Sequence, residues 1–181
     1  MSRPYYVFKR ILIIANLFAA LSWLHAQAVP TASRAGIAQF GAGWSVAAPD
    51  YGPSHIQGLT LYGTYDFTRH WGIEGDIHHI SSVTPSDVGE DSYLLGPRFV
   101  LPYGRFRPYT KALLGLARFK YANLGATYTY KVYSFGGGLD IFASRHINVR
   151  AVDFEFQQWP GFPPNGLSPM VWSFGAAYSF R

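Results

Sequence analysis

The chain has 181 residues, enough for one domain, and with 14% charged and 18% aromatic residues it is unlike a typical soluble protein. It contains no cysteine, which excludes a disulfide framework and a lipoprotein attachment site. The formal net charge is +5, but Arg3, Lys9 and Arg10 lie at the extreme N-terminus. The net charge of the chain without this N-terminal segment therefore gives no indication of nucleic-acid binding.

The N-terminal segment has the pattern of a secretory signal peptide. Basic residues precede an apolar run over residues 11–24, and a small-x-small site follows at Ala26 and Ala28. We predict a signal peptide over residues 1–28, cleaved near Ala26 or Ala28, and a flexible lead-in over residues 29–35. No later apolar run is long enough for a membrane-spanning helix, so a chain that crosses a membrane would have to do so as a closed barrel.

Eight segments after the lead-in alternate between apolar and polar residues with the period of a β-strand. Clusters of turn-forming residues separate them, and the connections alternate between short and longer. The predicted strands are residues 36–47, 56–67, 71–83, 92–101, 108–121, 130–142, 147–158 and 168–181. The pattern predicts an all-β fold, an eight-stranded antiparallel barrel over residues 36–181.

The seventh segment breaks the alternation. Its polar residues stand at even positions up to Arg150 and at odd positions from Asp153 onwards. A β-bulge near Ala151 and Val152 would bring both sets to the same face, and we predict one there.

The last segment indicates which face meets which environment. Trp172, Phe174 and Phe180 lie on one face, and the other carries only small residues such as Ser173 and Gly175. A soluble strand would place longer polar side chains on its water-facing side. We therefore interpret the aromatic face as lipid-facing and the small face as lining a narrow lumen.

The aromatic end of this segment resembles the C-terminal insertion signal of bacterial outer-membrane proteins. Tyr178 and Phe180 would form the signal, offset by one residue because Arg181 follows. The signal peptide, strand count and final strand together resemble the small eight-stranded outer-membrane β-barrel family, of the OmpA/OmpX-like type. No segment follows Arg181, so we expect no peptidoglycan-binding domain of the kind that some relatives carry.

The resemblance implies an up-and-down transmembrane barrel in the cell outer membrane. Short periplasmic turns would lie near Arg69, Gly104 and Ser144, and the longer loops would face outside. Outer-membrane lipid and lipopolysaccharide would surround the barrel, and periplasmic chaperones and the barrel-assembly machinery would be its partners during insertion. We expect a monomer without cofactor or metal.

Inward-facing charges decide whether anything could pass through so narrow a barrel. Symmetric hairpins would place Arg98 next to Asp76 and His78 and opposite Lys111. They would also place Asp140 opposite Lys111 and beside Arg150. We predict a lumen row of Asp76, Arg98, Lys111, Asp140 and Arg150, with Glu74 nearby. Buried charges are costly unless paired, so we interpret the row as a polar plug and expect a structural or surface-interaction role without an open pore. A narrow channel is the alternative.

One short motif suggests an enzyme as a further alternative. His79 and Ser81 lie on the same side of the third predicted strand, an arrangement similar to the His-x-Ser of small outer-membrane lipid A deacylases. Glu90 or Asp91, in the predicted loop beyond, could supply the acid that orients the imidazole. The adjacent pair His78 and His79 is a poor metal site, because neighbours on a strand point to opposite faces.

Aromatic residues near both ends of the strands are typical of interfacial girdles. A soluble lipocalin-like barrel is the alternative architecture, in which the aromatic face would form the core. The predicted girdles are Trp44, Tyr93, Tyr133 and Trp172 at one rim, and Phe67, Trp71, Tyr103 and Tyr178 at the other.

Overall fold

The computed structural model describes residues 36–50, 55–80, 89–120 and 127–180. The signal peptide, the lead-in, Ser81 and Arg181 lie outside these residues. No helix within the described ranges is long and apolar enough to cross a membrane. The strands are β1 (Ile37–Ala48), β2 (Ile56–Asp66), β3 (Trp71–Ile80), β4 (Gly89–Val100), β5 (Phe106–Lys120), β6 (Thr127–Phe142), β7 (Ile147–Gln158) and β8 (Met170–Phe180).

The eight strands form one closed antiparallel barrel. Each strand pairs with the next along the chain, and β1 also pairs with β8, which closes the sheet. Closure leaves no unpaired sheet edge. The predicted all-β, eight-stranded antiparallel barrel is confirmed.

The barrel buries polar side chains and exposes apolar ones. On β8, Ser173 and Ser179 are buried, whereas Trp172 and Phe174 are 49% and 55% exposed. The same alternation continues around the sheet, and the exposed large apolar residues come from every strand. This distribution is the opposite of a soluble lipocalin-like barrel, in which the aromatic face would be the core.

The predicted bulge in β7 is confirmed. The register with β8 shifts between Arg150 and Asp153, and the register with β6 shifts between Leu139 and Asp140. Ala151 and Val152 both face outward as a result. All five polar residues of β7 are buried inside the barrel: Asn148, Arg150, Asp153, Glu155 and Gln157.

Three strands are longer than predicted. β4 begins at Gly89, so Glu90 and Asp91 belong to a strand and were wrongly assigned to a loop. β5 begins at Phe106, two residues earlier than predicted, and β6 begins at Thr127, three residues earlier. Polar residues at the new ends of β4 and β6 had indicated loops. They instead continue the alternation of their strands, and their backbone N–H and C=O groups pair with the neighbouring strand.

Short turns connect the strands at the end where β1 begins and β8 ends. Thr68 and Ser144 each accept hydrogen bonds on the side-chain oxygen from the backbone N–H groups two and three residues later. The third short turn contains Gly104 at φ 61°, a conformation that L side chains rarely adopt. Local turn chemistry thus fixes these three connections.

Candidate functional site

The centre of the lumen contains a single lysine among carboxylates. Lys111, on β5, is fully buried at its side chain. Its Nζ lies close to one oxygen of each of four residues: Glu74 (2.9 Å), Asp76 (2.7 Å), Asp153 (2.8 Å) and Glu155 (2.8 Å). An ammonium has three donors, so the four carboxylates share them.

Two arginines extend this cluster toward the short turns. Arg150 donates from both terminal nitrogens to Glu74, at 2.9 and 3.0 Å, in a bidentate pair. Arg98 donates to the same carboxylate at 2.9 Å. Asp140 then joins the two arginines, at 2.5 Å from Arg98 and 3.2 Å from Arg150. Glu74 is therefore the centre of the cluster, in contact with all three cations.

Glycines on β6 let side chains of β5 and β7 meet across the lumen face. Gly136 stands between Lys111 and Glu155 in the ladder, and Gly138 stands between Tyr109 and Asp153. A Cβ at Gly138 would lie 2.8 Å from the Tyr109 hydroxyl. The absence of a side chain at these positions gives the long polar groups room to reach each other.

Two tyrosines line the cluster. The Arg150 guanidinium lies 3.7 Å from the ring centre of Tyr62, and the Arg98 guanidinium lies 4.0 Å from that of Tyr109. The Tyr109 hydroxyl donates to Asp153 at 2.6 Å. The aromatic faces thus hold the arginines by cation–π contacts.

Other layers of buried side chains lie on both sides of the cluster. Toward the short turns, Asn148 donates to Gln39 at 2.5 Å and Arg107 pairs with Asp66 at 3.2 Å. Toward the long loops, two apolar clusters fill the lumen: Leu94, Leu113, Ala117, Phe119, Val132, Trp159 and Leu167, and Ala47, Ile56, Ile80 and Val171. Trp159 begins the connection to β8 and is only 1% exposed.

The burial of the charged layer bears directly on transport. Glu74 and Glu155 are 0% exposed and Arg98 is 1% exposed. Side chains along a water-filled channel would be reached by water. The described part of the lumen is therefore packed at the level of these charges.

Two of the four predicted pairings occur in the sheet, and two are wrong. Arg98 stands opposite Lys111, as predicted, and Asp140, which was predicted beside Arg150, stands directly opposite it. However, Arg98 faces Gly72 on β3, and Lys111 faces Gly136 on β6. The hairpins β3–β4 and β5–β6 are not centred where symmetric loops would place them. The six predicted residues nevertheless lie together, because their ion pairs cross the lumen and do not follow one row.

The prediction omitted several members of the cluster. Asp153 and Glu155 were assigned to the lumen face once the bulge was assumed, but no pairing argument reached them. Both contact Lys111 across the glycines of β6. Tyr62 and Tyr109 stand at alternating positions with the inward-facing residues of their strands, and this alternation could have placed both in the lumen.

The same carboxylates form sets that resemble metal ligands. Asp76, His78 and Glu155 bring donor atoms within 4.8 Å of one another, as do Glu74, Asp76 and Asp153. Lys111 Nζ contacts every carboxylate in both sets. The ammonium therefore occupies the position that a metal ion would need among them.

The histidine of the predicted His-x-Ser motif, His79, lies on the outer wall, and Ser81 lies outside the described residues. His78 is buried and bonds to Glu155 at 3.0 Å, whereas the His79 side chain is 61% exposed, so the two histidines point to opposite faces as predicted. His79 Nδ1 contacts a carboxylate oxygen of Asp91, its direct partner on β4. Glu90 is buried on the lumen side and cannot orient this imidazole from outside.

Comparison with known proteins identifies the family. The family model described as the outer membrane protein beta-barrel domain matches residues 15–180. The chain belongs to this family. It is accordingly a protein of the cell outer membrane, and its exposed apolar wall faces lipid. A comparison with curated proteins found no match.

Solved structures of the same fold come from several bacteria. Ail, the attachment invasion locus protein of Yersinia pestis, is 20% identical with a TM-score of 0.53, over 80% of this chain and 99% of Ail. Neisserial surface protein A is 13% identical with a TM-score of 0.62, over 81% of this chain and 97% of that one. OprG from Pseudomonas aeruginosa is 16% identical with a TM-score of 0.60, over 81% and 97%. At these identities the similarity shows the fold alone.

The family assignment gives the predicted girdle residues a lipid-facing setting. All but Trp44, which is half-buried, are exposed on the outer wall or in a turn. Trp71 contacts Phe99 edge-to-face at 5.0 Å between ring centroids. Tyr178 and Phe180, the predicted insertion signal, both face outward, with 4.9 Å between ring centroids. The role of these residues as girdles and signal stays a prediction.

Proposed function

We propose that this outer-membrane barrel is a closed structural element, with no open pore, that acts through its outer surface. The observation that carries the proposal is the buried cluster around Lys111 and Glu74, in which three cations are joined to five carboxylates. An ion entering this layer would have to break several charge-assisted hydrogen bonds at once. The apolar layer around Trp159 adds a second barrier without polar groups to replace hydration.

The proposal includes the surroundings and assembly of the barrel. Outer-membrane lipid and lipopolysaccharide would meet its apolar wall, and the protein would act as a monomer. Periplasmic chaperones and the barrel-assembly machinery would insert it, with Tyr178 and Phe180 as the recognised end of β8.

Conductance in planar bilayers tests the closed state. The refolded protein is expected to give no discrete conductance steps above the bare bilayer, and an open porin in the same bilayer serves as the positive control. Reproducible steps from protein that runs as a folded, heat-modifiable species on gels would overturn the proposal in favour of a narrow channel.

The contact between His79 and Asp91 favours a second candidate, a lipid-modifying hydrolase. A carboxylate on the imidazole Nδ1 favours the tautomer in which Nε2 is the nitrogen that accepts a proton from a serine. Ser81 follows two positions after His79 in the sequence, and His79 faces the lipid side of the wall. In this alternative Ser81 would attack the carbonyl carbon of an acyl ester of lipid A while His79 accepts the serine proton and passes it to the departing lipid alkoxide. Water, with His79 again as the base, would then release the fatty acid from the acyl-serine.

Lipid A composition distinguishes the two candidates. Lipid A extracted from cells expressing the wild-type protein would lose an acyl chain if the hydrolase exists, and His79→Ala and Ser81→Ala would each restore it. Identical lipid A mass spectra for wild type and both variants would exclude the hydrolase and leave the structural role as the remaining candidate.

A further inference from the structure

The outer wall carries charged side chains at one place, the long-loop end of β3 to β6. Elsewhere the outward positions of the described strands are apolar or uncharged. The family's short turns are periplasmic, so this end lies at the outer leaflet. The charged residues there are Asp91, Arg118, Lys120 and Lys131, and His79 lies beside Asp91; all five are at outward positions.

The single carboxylate in this group is already engaged. Asp91 stands between His79 on β3 and Arg118 on β5 in the ladder. Its side chain contacts His79 and is 31% exposed. The Arg118 guanidinium instead lies over the ring of Tyr93, 5.9 Å from its centre. Arg118 is therefore positioned by an aromatic face and keeps its donors for another group.

The three cations lie close together in the sheet. Arg118 pairs with Thr129 and Lys120 with Thr127, which places Lys131 diagonally across from Arg118. All three are exposed. None of them forms an ion pair with a carboxylate of the described residues. Three like charges on neighbouring strands repel each other unless an anion lies among them.

Directly below the cations the wall becomes apolar. Leu116 precedes Arg118 on the outward face of β5, and Tyr133 follows Lys131 on β6. Leu114, Leu116 and Phe135 are 60%, 51% and 62% exposed. A phosphate at the cations and an acyl chain along this surface would belong to the same amphipathic molecule.

We propose that Arg118, Lys120 and Lys131 form a binding site for the phosphorylated headgroup of an outer-leaflet lipid. Arginine binds phosphate oxygens through two parallel N–H donors, and the lysines add point charges on either side. The acyl chains lie against Leu114 and Leu116 below. The site does not depend on the closed lumen, and bilayer conductance does not report on it.

The test is lipid binding by native mass spectrometry in a neutral detergent. Wild-type protein is titrated with bisphosphorylated lipid A and, separately, with the same lipid after removal of its phosphates. We expect the phosphorylated lipid to bind more tightly, and R118Q/K120Q/K131Q to weaken that binding about tenfold or more. Arg118→Gln alone is expected to weaken it in the same direction, and it carries the test if the triple variant does not fold.

The matched control removes three cations from the other end of the barrel. Arg69, Arg105 and Arg145 are exposed, one in each short turn. R69Q/R105Q/R145Q has the same net charge as the first triple variant and is expected to bind lipid A like wild type. Equal binding by wild type and R118Q/K120Q/K131Q, or equal loss in both triple variants, would overturn the site. Displacement of lipid A by equimolar inorganic phosphate would contradict a lipid as its occupant.

Discussion

At the scale of single residues, Lys111 has the most demanding position in the barrel. The cluster contains five carboxylates and three cations, so its acidic groups outnumber its basic ones. His78 adds a bond to Glu155 but contributes charge only when protonated. Removal of any cation therefore leaves buried carboxylates facing one another, which costs more than the pair itself contributes.

Replacing Lys111 with methionine tests this balance. Methionine keeps the length and apolar stem of the side chain but removes the ammonium from four carboxylates. We expect Lys111→Met to lower the free energy of unfolding by about 3–5 kcal/mol, measured by urea unfolding in vesicles of zwitterionic lipid.

Lys131→Met is the matched control for this substitution. Lys131 is exposed on the outer wall and has no carboxylate partner among the described residues, so its replacement should change stability by no more than about 0.5 kcal/mol. Equal effects of the two substitutions would mean that the lumen cluster does not stabilise the barrel.

At the scale of elements, the bulge in β7 decides what the lumen contains. Before Ala151 the strand faces inward at even positions, and after Val152 at odd positions. Without the extra residue, Asp153 and Glu155 would face lipid, and Phe154 and Phe156 would face the lumen. One residue thus determines whether Lys111 meets its carboxylates.

Deletion of Ala151 is the corresponding test. We expect the deletion variant to lose the folded, faster-migrating band on unboiled gels, because either half of β7 must present the wrong face. Ala151→Val keeps the chain length and should retain the band. A deletion variant that folds and unfolds like wild type would show that the strand can shift its register without loss.

Sequence alternation predicted the strands and the bulge, because each depends on neighbours along the chain. Cross-strand register was less accessible. Gly89, Glu90 and Asp91 resemble loop residues, and treating them as a loop displaced the assumed centre of the β3–β4 hairpin. The contacts of Glu74 with Arg150 cross the lumen between strands 76 residues apart in sequence. Such contacts follow from barrel closure and tilt, which local patterns do not encode.

At the scale of the whole molecule, the barrel is organised in the opposite sense to a soluble protein. Its wall meets lipid with Leu, Phe and Trp side chains, and the central layer of its interior is held by ion pairs and hydrogen bonds. The charges of the central layer are buried, and buried charges need hydrogen-bonded partners. In the proposed closed barrel, this layer orders the interior, and any activity is expected on the outer surface.

The most direct test of a closed lumen is the accessibility of a cysteine placed within it. The chain contains no cysteine, so a single introduced cysteine is the one thiol that a reagent can label, and its reactivity reports the accessibility of that position. Ser45 is 0% exposed, pairs with Ser173 beside the charged cluster, and has a hydroxyl without a hydrogen-bond partner among the described residues. Ser45→Cys therefore loses no hydrogen bond seen there, and Ala143→Cys in an exposed short turn is its control.

Both variants are folded in vesicles that are permeable to the reagent, and are then treated with a small charged methanethiosulfonate. The account predicts that Ala143→Cys reacts in the folded barrel, whereas Ser45→Cys reacts only after the barrel is unfolded by heat. Reaction of folded Ser45→Cys at a rate similar to that of Ala143→Cys would show that water and ions enter the lumen, and would contradict the closed barrel.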